Sequence, residues 1–286
     1  MKEPKRYPLE ATNARRGGLE AALRHIQAQA RYLVRADELA ALTGREPGGL
    51  AMKSALRRVA QQGLITLATK RPSTWLIVPP EHSHYGAPPV EWWLDDYLKD
   101  AEPHYYLALL SAARHWGSAH YALQSTQVMV SQPHRTQTIG RLQLEFTVKT
   151  SIDRTPIEYV STPVARLRVS TREATLLDLI RHQSRVGGIE AVARVAKDFA
   201  PSLRPEGLLQ ALDALDQVPA AQRVGFVFET LKLKDQSLVV KNWLTGRHRT
   251  LQPLEPANAA PLDVLHDSQW GVEHTQHQRN SILELA

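Results

Sequence analysis

Apolar positions recur at helical spacing through the first sixty residues and then give way to strand-like runs. Leu19, Leu23 and Ile26 share one face of residues 19–30, with Glu20, Arg24 and Gln27 opposite, which predicts a first helix. Asp37 is placed to cap a second helix over residues 38–42, and Gly44 supplies its stop. The turn Glu46-Pro47-Gly48-Gly49 opens a third, residues 50–62, ended by Gly63. In that helix Met52, Ala55, Leu56 and Val59 fall on one side, and Lys53, Ser54, Arg57, Arg58 and Gln61 on the other. Strand-like residues 64–68 and 75–78 then flank a basic turn holding Lys70, Arg71 and Pro72. Three short helices followed by a hairpin predict a winged helix-turn-helix over residues 1–80.

Four prolines between positions 79 and 90 rule out a helix or a central strand, so residues 81–90 are expected to be a linker. Residues 91–250 read as a second, α+β domain. Residues 105–115 are apolar nearly all round and predict a buried helix ended by Gly117, and residues 126–131, 139–148 and 163–169 predict strands of a mainly antiparallel sheet. In the second strand Leu142, Leu144, Phe146 and Val148 alternate with Arg141, Gln143, Glu145 and Thr147. The third places Arg166 and Arg168 outward, so Arg141, Arg166 and Arg168 mark a basic, solvated, partner-facing side of the sheet. Ser170 or Thr171 caps a helix with Glu173 in its first turn, and helices follow over 189–199, 205–215 and 220–233. Residues 251–286 are polar and proline-containing and carry no predicted element.

Charge sharpens this division. Residues 1–80 hold 14 Lys and Arg against 6 Asp and Glu, net +8, whereas the other 206 residues hold 21 against 23, net −2. A basic excess confined to the segment with the amphipathic third helix is the footprint of a polyanion. A major groove about 12 Å wide admits such a helix, with arginine pairing to guanine, glutamine to adenine and lysine to phosphate. Lys53, Ser54, Arg57, Arg58 and Gln61 are therefore the candidate DNA contacts, Lys70 and Arg71 the contacts of the wing, and Arg15 and Arg16, beside two glycines, a candidate arm.

The composition removes other function classes. The chain has no cysteine, so thiolate metal sites, disulfides and thiol nucleophiles are excluded. No apolar run approaches the roughly 18 residues of a membrane span, and the charged, proline-containing start is no secretion signal, so a cytoplasmic protein is expected. Nucleotide-binding, zinc-protease and nucleophile-elbow motifs are lacking; no catalytic residue, metal or cofactor is expected. Glu145, Lys149, Asp153 and Glu158 lack the spacing of a nuclease site, and His82-Ser83-His84 reads as a solvated linker rather than a metal pair.

Four stretches give the chain a family likeness: Leu56-Arg57-Arg58-Val59 with Gly63-Leu64-Ile65, residues 105–113 with Gly117, residues 124–130, and residues 169–179. With these the chain, from about residue 19 to 235, resembles the AbiEi family, the antitoxins of type IV toxin-antitoxin and phage abortive-infection systems. The resemblance implies a winged N-terminal domain bound to repeats in its own promoter DNA as an autorepressor. It also implies an antitoxin domain that counters a nucleotidyltransferase-like toxin, directly or indirectly. The residues alone leave two other readings: a winged-helix transcription factor that senses a small ligand, and a DNA-processing enzyme.

Overall fold

The computed structural model describes residues 11–118, 125–256 and 263–286, with the backbone alone over 11–17. The fold is α+β, and the chain divides into two units, the first made of Met1–Pro103, Thr136–Leu144 and Ser161–Leu167 and the second of the remainder.

The first unit opens with α1 (Ala11–Ala28), kinked at Gly18, followed by β1 (Leu33–Arg35), α2 (Ala36–Thr43) and α3 (Leu50–Gln61). The hairpin β2 (Ile65–Lys70) and β3 (Ser73–Ile77) completes an antiparallel three-stranded sheet in the order β1-β3-β2. Leu19, Leu23 and Ile26 of α1, Leu39 of α2 and Met52, Leu56 and Val59 of α3 meet Ile65 and Ile77 in one core, so the apolar stripe predicted for each helix is the face it buries. Asp37 does not cap α2. The helix begins two residues earlier than expected, at Ala36, and the Asp37 carboxylate accepts from the Glu38 amide and from the Arg35 guanidinium.

The expected linker is packed. Ala87, Pro88 and Val90 are buried, and the fully buried Trp93 donates its indole N–H to the Pro88 carbonyl at 3.1 Å. The ring of His82 stands edge-on to Trp92, and that of His84 lies 3.7 Å from Tyr85. Prolines barred from helix and ladder still pack their rings, and the short helix α4 (Leu94–Leu98) carries the unit on to Pro103. Residues 136–144 join it through a close backbone approach. Gly140, at φ 60°, has no room for a Cβ, which would meet the Gly86 carbonyl oxygen at 2.5 Å, and the Arg141 amide donates to Tyr85.

Beyond Pro103, β4 (Tyr105–Leu107) precedes α5 (Leu109–His115), which corrects the single helix expected over 105–115. An all-apolar run fits a central strand as well as a buried helix; here its first three residues pair with both neighbouring strands. Strands β5 (Thr126–Val130), β6 (Gln137–Ile139), β7 (Leu142–Val148), β8 (Ile157–Ser161) and β9 (Arg166–Ser170) complete a sheet of order β6-β7-β5-β4-β9-β8. The ladders β6-β7 and β4-β5 are antiparallel, and β4 runs parallel to β9. The strand expected over 139–148 is thus broken by the turn at Gly140.

Helices α6 (Arg172–Arg181), α7 (Gly188–Phe199), α8 (Pro205–Leu215), α9 (Val218–Thr230) and α10 (Lys234–Leu244) surround one core. Thr171 caps α6, its hydroxyl accepting from the Ala174 amide, and buried Glu173 accepts from the Arg204 amide at the start of α8. The C-terminal segment is structured. β10 (Gln252–Pro253), β11 (Val264–Asp267) and β12 (Val272–Thr275) form a small sheet, and α11 (Gln276–Leu283) begins with a capping box at Thr275. Leu254, Trp270, Val272 and Ile282 enter the same core as α7 and α9.

Candidate nucleic-acid interface

The turn before α3 closes with the Gly49 amide donating to the Glu46 carbonyl, and α3 then runs for 12 residues without a single carboxylate. Burial of Met52, Ala55, Leu56 and Val59 fixes the rotation of the helix. That rotation leaves Lys53, Ser54, Arg57, Arg58 and Gln61 all exposed. Among sequence-predicted contacts these five share one helix surface, and Lys70 and Arg71 lie exposed at the tip of the β2-β3 hairpin. Arg15 and Arg16 fall among the residues whose side chains lie outside the described set.

Between α3 and the hairpin runs an open groove of about 500 Å³, lined by Lys53, Leu56, Arg57, Ala60, Gln61, Ser73 and Trp75. Trp75 is held there by its indole N–H, which donates to the Ser73 hydroxyl at 3.1 Å. The carboxylates of α2 are occupied by arginines. Glu38 takes a two-pronged bond from Arg31 at 2.7 and 2.9 Å, and the Arg35 bond holds Asp37 below the usual carboxylate range. No acid of α3 or of the groove lining opposes an anion.

Two features of this surface had no separate signal in the hydropathy pattern. Trp75 reads as an ordinary strand aromatic, and Leu50, 83% exposed, reads as the first apolar position of a helix. Only the rotation of α3 reveals that Leu50 lies with the polar residues.

The other predicted surface is less uniform. Arg141 is exposed in the turn before β7 and Arg166 is exposed on β9, but Arg168 is half-buried, its guanidinium 4.8 Å from the Tyr105 ring. β7 and β9 are separated in the sheet by β5 and β4. Phe146 is half-buried and Val148 exposed, so the expected in-out alternation of β7 fades beyond Leu144. Lys149 turns inward: its ammonium, 4% exposed, donates to Asp178 at 2.7 Å and to the Tyr106 hydroxyl at 3.0 Å. Tyr106 donates to the other Asp178 oxygen at 2.8 Å. Burial first, and the Asp178 charge second, push the Tyr106 phenol well above its usual range, so it remains a donor. Among the described residues no three His, Asp or Glu side chains converge as a metal site, and no helix is long and apolar enough to cross a membrane.

Tyr106 and Asp178 both lie within residues 106–230, which match the profile of the AbiEi antitoxin C-terminal domain. The chain carries an AbiEi-family antitoxin domain. This AbiEi match covers β4 to α9, and so contains the Lys149-Tyr106-Asp178 cluster and the helices packed around it. The fold is similar to the crystal structure of the RV2827C protein from Mycobacterium tuberculosis, with a TM-score of 0.62 and 16% identity over 98% of this chain and 97% of that one. That likeness is one of fold. No curated protein matches the chain.

Proposed function

We propose that the protein is the antitoxin of a type IV toxin-antitoxin system and represses its own promoter. In this reading α1, α2, α3 and the β2-β3 hairpin are a winged helix-turn-helix that binds double-stranded DNA, with α3 in the major groove and Lys70 and Arg71 along the backbone. The observation that carries it is the carboxylate-free, wholly exposed row of Lys53, Ser54, Arg57, Arg58 and Gln61 beside a basic hairpin tip. Arg15 and Arg16 extend the contact as an N-terminal arm. The antitoxin domain counters a nucleotidyltransferase-like toxin, directly or indirectly, and the protein acts in the cytoplasm without catalysis or cofactor. Arg141, Arg166 and Arg168 are the proposed partner-facing residues.

The test is co-expression with the product of the neighbouring gene, read as growth, alongside a reporter driven by the protein's own promoter. The reading expects the protein to restore growth and to silence the reporter. A toxic neighbour left unchecked, or a reporter relieved by a metabolite and indifferent to Arg57 and Arg58, would replace it with the ligand-sensing regulator.

A further inference from the structure

The exposed surface of α3 is two rows, each with the four-residue spacing that stacks side chains one above the other on a helix. Lys53, Arg57 and Gln61 form the row that walls the groove, facing Ser73 and Trp75. Leu50, Ser54 and Arg58 form the other row, exposed and absent from the groove lining. We infer that, granted the DNA-binding reading above, the two rows divide the work: Leu50, Ser54 and Arg58 read base edges, while Lys53, Arg57 and Gln61 with Trp75 grip the sugar-phosphate backbone of one strand.

The groove row suits a backbone. It pairs cationic and amide donors with a floor of Leu56, Ala60 and the Trp75 indole, an apolar bed for deoxyribose beneath donors for phosphate. It also runs beside the hairpin whose tip carries Lys70 and Arg71, so one strand lying along the hairpin passes over it. The second row suits the bases. In a helix-turn-helix the N-terminal part of the recognition helix reaches deepest into the groove, and Leu50 and Ser54 lie there. An isoleucine-sized apolar side chain 83% exposed among donors gains nothing from water but fits the 5-methyl of thymine, and Arg58, two turns along, fits the paired acceptors of guanine. Trp75 and Leu50 thus become contacts that charge alone would not select.

Selection of duplexes from a pool with a randomised core, using the full-length protein, supplies the probe. Lys53→Gln and Arg57→Gln should weaken the selected and a scrambled duplex by the same factor, each lowering the salt slope of binding by about one. Trp75→Ala should likewise weaken both duplexes equally. Leu50→Ala should leave the scrambled duplex unchanged and lose preference for the selected one. Replacing the contacted thymine by deoxyuridine, which removes only the methyl, should cost the wild type about fourfold and the Leu50→Ala variant nothing. Sensitivity to deoxyuridine that survives Leu50→Ala, or an Arg57→Gln variant with altered base preference, would overturn the division of rows while leaving DNA binding intact. If the wild type enriches no duplex, the DNA-binding reading falls and takes this inference with it. All four substituted residues are at least partly exposed, and circular dichroism of each variant separates a lost contact from a lost fold.

Discussion

The indole of Trp270 packs on the backbone of Gly225, where an added Cβ would lie 2.0 Å from the ring. Glycine in a helix interior normally costs about 1 kcal/mol relative to alanine. Here it admits the large side chain by which the small C-terminal sheet docks on α9. The same indole donates its N–H to Glu229 at 2.5 Å, and the Gln222 amide donates to the carbonyls of Thr250, Trp270 and Gly271.

Gly225→Ala should therefore destabilise the protein by about 2–3 kcal/mol despite the gain in helix propensity, because the ring must be displaced. Trp270→Ala should cost about 3–5 kcal/mol. The double variant should be less destabilised than the sum, since the alanine methyl then points into space the ring has left. Denaturant unfolding of the four proteins checks this; strict additivity would mean the two residues are not in contact.

The Lys149-Asp178 pair is buried on both sides and shares the Tyr106 hydroxyl. Lys149→Met leaves a buried carboxylate with one donor fewer and should cost about 3–5 kcal/mol, whereas Lys149→Met combined with Asp178→Leu should recover much of that loss. Unfolding midpoints of the single and double variants are the measurement. A single variant as stable as the wild type would show that the pair contributes nothing.

His182 sits at the end of α6, partly buried, and burial lowers its pKa below 6.5; Asp178 opposes the shift, while Arg181, Arg185 and Lys149 reinforce it. The unfolded chain therefore binds a proton more readily than the folded one. The resulting stability is complete above pH 6.5 and is lost as the pH falls through the lower folded value. His182→Gln should flatten the slope of stability against pH below 6.5 relative to the wild type. Equal slopes for the two proteins would contradict the buried, neutral ring.

The N-terminal elements were legible because each buries one face. The stripe Met52, Ala55, Leu56, Val59 fixes a period, a rotation and hence the exposed donors without reference to the rest of the chain. Legibility failed where long-range pairing decides. Residues 105–107 are apolar on every side, and their state is set by β5 and β9, more than twenty and sixty residues away in sequence, not by their own pattern. Residues 251–286 looked too polar for a core because Leu254, Trp270, Val272 and Ile282 are widely spaced, each an isolated anchor on helices formed much earlier in the chain. In the candidate interface charge located Lys53, Arg57 and Arg58, but Leu50 and Trp75 needed the rotation of α3 and the groove beside it.

The central claim is that the exposed face of α3 binds DNA, and its most direct test is a binding titration. The duplex is taken from upstream of the protein's own gene, and the proteins are the full-length wild type and the variant Arg57→Glu/Arg58→Glu. Both guanidinium groups are exposed, so the variant should keep the wild-type circular dichroism and melting temperature while losing about a hundredfold or more in affinity. Wild-type affinity in the folded variant would show that α3 is not the reader.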